Sequence, residues 1–133
     1  MTQEEKDLLL KDLCARLPYG VKAYVKNWSK LDRKYYEGVY TVESIYTSLN
    51  NILVSSERCS VDVIVGYDDY EIKPYLFPLS SMTKEQQIDL FKFVTNNIGN
   101  ENIIYDWHNK NHFDYRGLIE KGLALDATGL NIY

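Results

Sequence analysis

The chain has 133 residues, of which 45% are hydrophobic, 14% aromatic and 26% charged, with seven glycines and three prolines. This length predicts one domain able to bury a core without a metal or disulfide staple, and the composition excludes disorder or a fibrous repeat over most of the chain. Fifteen Lys and Arg against 19 Asp and Glu give a net charge of −4, which speaks against a protein whose main task is non-specific binding to phosphate backbones.

The charge is unevenly spread. Residues 1–35 carry eight basic and five acidic side chains, residues 36–82 two and seven, and residues 83–133 five and seven. The hydrophobic period changes between the same parts, so they are structural as well as electrostatic divisions.

The first part opens on a capping box, Thr2 with Glu5, in which each side chain satisfies a free backbone N–H at a helix start. Leu9, Leu10, Leu13, Cys14 and Leu17 then recur at helical spacing as one apolar stripe, which Pro18-Tyr19-Gly20 stops. Beyond it the period becomes two. Val21, Ala23 and Val25 point one way and Lys22, Tyr24, Lys26 and Trp28 the other, which predicts a first strand.

The middle part reads as an antiparallel meander. Tyr40, Val42 and Tyr46 alternate with Thr41, Glu43 and Ile45, and Asn50-Asn51 suits the positive φ of a tight turn. Ile52, Leu53 and Val54 form a short strand, Glu57-Arg58 a turn, and Cys59, Val61, Val63 and Val65 the inward side of the next strand. Gly66-Tyr67-Asp68-Asp69 turns the chain into Ile72 to Phe77. Pro74 and Pro78 lack the ladder N–H, which places this last strand at a sheet edge. Five short strands at a spacing of about ten residues predict a small SH3-like or OB-like barrel, or else a curled open sheet.

The last part is helical. Thr83 with Gln86 repeats the capping box, and Leu90, Phe91, Val94 and Ile98 form a stripe that Asn97 and Gly99 end. A second helix carries Ile103, Ile104 and Trp107, and Asp114 caps a short third one through Leu118 and Ile119, closed by Gly122. The whole is predicted as one α+β domain over residues 1–133, with an N-terminal helix and a C-terminal helical segment.

Cys14 and Cys59 both fall on predicted apolar faces and read as small buried hydrophobes, in keeping with a reducing, cytoplasmic setting. The charged start, Met1 to Asp7, is unlike a signal or transit peptide, and no apolar run approaches the ~18 residues of a membrane span.

Four groups of residues offer chemistry. His108 and His112 are four apart, and a continuous helix would bring both imidazoles to one face where they can share a metal. The spacing resembles the zincin motif, but Asn109 stands where that motif has its general-base glutamate, and Asp106 or Asp114 would have to supply a third ligand. His112, Asp114 and Arg116 place a base, a carboxylate and a guanidinium within five residues, with Phe113 and Tyr115 between them. A plainer account makes Asp114 a helix cap, pairs Arg116 with it and packs the rings. No phosphate loop, nucleophile elbow or Cys/His metal pattern is present, so no cofactor is expected.

Lys22, Tyr24, Lys26 and Trp28, extended by Lys30, Arg33 and Lys34, mix cations and aromatics as single-strand nucleic-acid platforms do. The acidic middle part stands against that use. Twelve tyrosines exceed the needs of such a core, and Tyr35-Tyr36, Tyr67, Tyr70 and Tyr75 fall in or beside predicted turns. Because tyrosine is enriched at protein interfaces, a partner-binding or self-associating surface is the mildest functional reading.

Two segments, Ile72 to Thr83 and His112 to Ala124, resemble paired signatures in a family of small proteins of gut Bacteroides-type bacteria and their phages. The opening helix and Leu17-Pro18-Tyr19-Gly20-Val21 are similar too. The resemblance implies a phage or mobile-element origin, and it supplies no activity and no catalytic residues. The sequence therefore predicts a non-enzymatic interaction module, with a small enzyme or metal protein at the His108/His112/Asp114/Arg116 cluster, or a single-strand binder at Lys22 to Trp28, as the alternatives.

Overall fold

A computed structural model describes the whole chain, Met1–Tyr133. Helix α1 (Gln3–Arg16) begins at the Thr2 box, where Glu5 N–H donates to Thr2 Oγ1 at 3.1 Å and Thr2 N–H to Glu5 Oε2 at 2.9 Å. It runs into a short 3-10 turn (Leu17–Tyr19) that ends at Gly20, whose φ of +66° is the left-handed geometry that terminates helices.

Five antiparallel strands follow: β1 (Lys22–Ser29), β2 (Lys34–Tyr46), β3 (Asn51–Ser55), β4 (Ser60–Ile64) and β5 (Tyr70–Pro78). They lie in the order β4-β3-β2-β1-β5. The sheet is not closed into a barrel, because β4 and β5 form no hydrogen-bonded ladder with each other. Where β5 runs on past the start of β1 it pairs instead, in parallel, with two short strands, β6 (Phe113–Asp114) and β7 (Leu125–Asp126). Helices α2 (Lys84–Asn96) and α3 (Ile103–Lys110) lie between β5 and β6 in the chain.

One core holds α1 to the sheet. Leu9, Leu10 and Leu13 meet Val21, Ala23 and Val25 of the first strand and its approach, Val42, Ile52, Val54, Val63, Val65, Ile72 and Leu76 from the other strands, and Leu118, Leu123 and Ala124 from the C-terminal segment. Each fully buried leucine in this layer contributes about 1.5–3 kcal/mol relative to exposure. At the end of β4, Gly66 (φ +91°) turns directly under Lys6 of α1, and a Cβ there would lie 2.3 Å from the lysine Cε.

Several local expectations are corrected. Strand β2 is longer than its alternating core, so Tyr35 and Tyr36 lie in the ladder, opposite Trp28 and Asn27, and not in a turn. A bulge between Val42 and Ser44 shifts the register by one residue, turning Ile45 onto the core and Tyr46 to solvent. Cys14 and Cys59 are both exposed thiols: Cys14 lies beside the buried leucine face, and Cys59 belongs to the turn before β4. The expected third helix is a series of turns over residues 118–122, with Gly122 at φ +72°. Asp114 does act as its cap, accepting from Leu118 N–H and Ile119 N–H, each at 2.9 Å. No helix is long and apolar enough to cross a membrane.

Candidate functional site

The residues that α1 buries toward the C-terminal segment are not all apolar. Asp12 and Arg16 are both fully buried, four apart on the face that also carries Leu9 and Leu13. Arg16 Nε donates to Asp12 Oδ2 at 2.8 Å, and Arg16 Nη2 donates to the carbonyl oxygen of Phe113 at 2.6 Å. Arg116 Nε approaches the other Asp12 oxygen at 3.2 Å. Two guanidinium groups thus share one carboxylate. Both also lie over the ring of Tyr115, Arg16 at 5.5 Å and Arg116 at 4.9 Å from its centroid, and Arg116 Nη2 donates to the Tyr115 hydroxyl at 2.9 Å.

Aromatic rings surround this centre. His108 stacks with Tyr115 at 5.7 Å, Tyr105 packs against Tyr115 at 5.2 Å, and Trp107 lies nearly parallel to Phe113 at 5.6 Å. Trp107 Nε1 donates to Asp89 at 2.9 Å, which ties α3 to α2. A shallow cleft of about 640 Å³ opens beside the centre, with Lys11, Tyr105, Asn109, Tyr115 and Arg116 on its walls.

The two histidines do not share a face. Helix α3 ends at Lys110, and His112 adopts a left-handed φ of +63° just beyond it, so the spacing of four residues does not act as a helical repeat. His108 sits among the Tyr115 group, whereas His112 stacks flat on Tyr133 at 3.6 Å. Burial, with Arg16 and then Lys22 nearby, holds the His112 pKa down to about 4, and burial followed by Arg16 lowers that of His108 as well. No three His, Cys, Asp or Glu side chains converge on one point. Asp114 spends both oxygens on the turn it caps, and Arg116 pairs with Asp12 and not with Asp114.

Tyr75 is buried, and its carbonyl oxygen accepts from the Tyr133 hydroxyl at 2.7 Å. The same hydroxyl accepts from Lys22 N–H at 3.0 Å, and Lys22 Nζ donates to the Ile132 carbonyl at 3.0 Å. The C-terminus is thereby pinned across the start of β1. Farther along that strand Tyr24 donates to Glu37 at 2.6 Å, and this bond is the chief cause that pushes its pKa up to about 12. Lys26 lies over the Tyr35 ring at 4.4 Å and is flanked in the sheet by Glu37 and Glu71, while Trp28 packs edge-on against Tyr35 at 4.9 Å. With Lys26 set between two carboxylates and Lys22 donating to the Ile132 carbonyl, this strand makes a weak track for phosphates.

An exposed apolar surface lies elsewhere, on α2. Gln86, Leu90, Phe93 and Asn97 are its half-buried positions. The opposite face exposes Phe91 at 72%, Ile98 just past the helix end at 86% and Ile88 at 55%, with Val94 beside them. The stripe is helical as its spacing predicts, but Phe91, Val94 and Ile98 turn to solvent.

Asp12 and Arg16 escape a sequence reading because an acid and a base four apart ordinarily mark a solvated helix face. Their positions carry the contrary signal, since 9, 12, 13 and 16 follow the i, i+3, i+4, i+7 pattern of one buried stripe. Compared with protein families, curated proteins and solved structures, the chain matches none.

Proposed function

We propose that this protein is a non-enzymatic interaction module that associates with a second copy of itself through the exposed face of α2. The observation that carries this reading is the second apolar face of that helix, formed by Ile88, Phe91, Val94 and Ile98 and opposite the one it presents toward α3. Three of these four side chains are more than half exposed, and a contiguous exposed apolar patch on a monomer is often a contact surface. A two-fold axis through Phe91 makes the patch self-complementary: residues equally distant from Phe91 meet, so Ile88 faces Val94 of the other copy. Lys84, at the N-terminal end of this face, then approaches the other copy's helix C-terminus, where free carbonyls and Glu101 are negative. The uses already made of Asp114, Arg116 and His112 within the fold favour this reading over an acid–base site. A role as a cytoplasmic accessory protein of a phage or mobile element is part of the proposal, and its support is the sequence resemblance.

Sedimentation equilibrium tests the association. The full chain is expected to populate a dimer that Phe91→Glu converts to monomer without changing the circular dichroism spectrum. A wild-type chain that stays monomeric up to its solubility limit would overturn the reading.

A further inference from the structure

The cleft between α1 and α3 is built differently from the α2 face and does not depend on it. Asn109 is only 5% exposed and lines this cleft, yet its Oδ1 has no hydrogen-bond partner. An unsatisfied buried amide oxygen is unfavourable unless something donates to it. Lys11 and Arg116 stand on the cleft walls against a single carboxylate, Asp106. Asp12, behind the cleft, is one carboxylate shared between Arg16 and Arg116. Tyr105 offers a half-exposed ring beside Tyr115. The cleft therefore combines surplus positive charge, an open aromatic surface and an acceptor in need of a donor, within a volume suited to small organic ligands.

We infer that this cleft binds a small organic anion that carries a planar ring and an N–H or O–H donor, of the chemical class of a nucleoside monophosphate. Arg116 and Lys11 take the anionic group, Tyr105 takes the ring face, and Asn109 accepts from the donor. To reach the anion Arg116 would have to leave Asp12 Oδ1, and Asp12 would then keep Arg16 as its partner. Arginine forks onto phosphate or carboxylate with paired N–H donors, which makes it the main anchor and Lys11 the lesser one.

The test is a titration of the full-length chain followed by ¹H–¹⁵N correlation spectra, with adenosine monophosphate, adenosine and inorganic phosphate as separate probes. Adenosine monophosphate is expected to give saturable shifts clustered at Asn102, Tyr105, Asn109, Tyr115 and Arg116, with adenosine and phosphate each at least tenfold weaker. Arg116→Gln is expected to weaken the nucleotide tenfold or more, and Asn109→Leu severalfold, while both variants keep the wild-type pattern of amide shifts elsewhere. Shifts that do not saturate by about 5 mM, shifts centred outside the cleft, adenosine binding as tightly as its monophosphate, or an Arg116→Gln variant that binds unchanged would each overturn the inference. If Arg116→Gln fails to fold, Lys11→Gln and Asn109→Leu carry the same test, and unchanged nucleotide binding in both overturns it.

Discussion

Arg16 donates from Nη2 to the carbonyl oxygen of Phe113 at 2.6 Å, joining residues 97 apart in the chain. With its Nε on Asp12, this one fully buried side chain connects the first helix to the short strand that pairs beside β5, at the point where the C-terminal segment returns to the sheet. Breaking one member of a buried ion pair strands the charge of the other, whereas replacing the pair with apolar groups removes both desolvation costs together.

Asp12→Ala is therefore expected to destabilise the fold by about 3–5 kcal/mol, since it leaves Arg16 buried with only a carbonyl partner. The double substitution Asp12→Leu with Arg16→Met is expected to recover most of that loss. Urea unfolding of the single and double variants checks this, and a double variant as unstable as Asp12→Ala would show that the Phe113 hydrogen bond outweighs the ion pair.

Stability is expected to fall as the solution is acidified from pH 7.5 to 5. His112 has a folded pKa of about 4 against an ordinary 6.5, for burial and the Arg16 and Lys22 charges oppose its cation. The unfolded chain thus takes up a proton that the folded chain refuses, and the stability present above pH 6.5 is lost progressively down to about 4; His108, lowered in the same direction, adds to the slope. Allowing for solvent screening of a partly exposed ring, the His112 contribution is on the order of 1–2 kcal/mol over that interval. His112→Asn, which tolerates the φ of +63°, is expected to flatten the dependence of urea-unfolding free energy on pH.

Tyr133→Phe keeps a ring to stack on His112 but removes the hydroxyl shared by Tyr75 and Lys22. A loss of about 1–2 kcal/mol is expected. In the wild type, alkaline difference absorbance is expected to leave Tyr133 and Tyr24 un-ionised until the pH nears about 12, because burial of the first and the Glu37 bond of the second push both up to about 12.

Both cysteines are expected to react with a thiol reagent in the folded protein, giving two equivalents without denaturant. Cys14 and Cys59 are exposed and unbridged, and partial burial pushes the Cys14 pKa up, so Cys14 reacts more slowly at neutral pH. One equivalent or none would contradict the exposed placement.

The elements marked by local chemistry are legible in the sequence: the Thr2 and Thr83 capping boxes, the stop at Gly20, the Asn50 turn and the inward run Val21, Ala23, Val25 all stand where residue type and spacing place them. What depends on partners distant in the chain is not. The bulge at Val42–Ser44 changes which of Ile45 and Tyr46 is buried, though nothing in the alternation announces it. Periodicity groups Phe91, Val94 and Ile98 on one face but says nothing about what covers that face. Of the proposed sites, Arg116 is visible as a functional group, whereas its partner Asp12 and the cleft residue Asn109 emerge only when α1 and α3 are brought together.

Disulfide trapping at Phe91 tests self-association through α2 most directly. In a Cys14→Ser, Cys59→Ser background, Phe91→Cys places a thiol on the proposed two-fold axis, next to its own symmetry mate and within the geometry a disulfide accepts. Mild oxidation is expected to convert most of the Phe91→Cys protein to a covalent dimer, while Glu85→Cys, off the apolar face, stays monomeric. Equal, slow crosslinking at both positions would contradict the account, since it would mean that the exposed face of α2 meets no second copy.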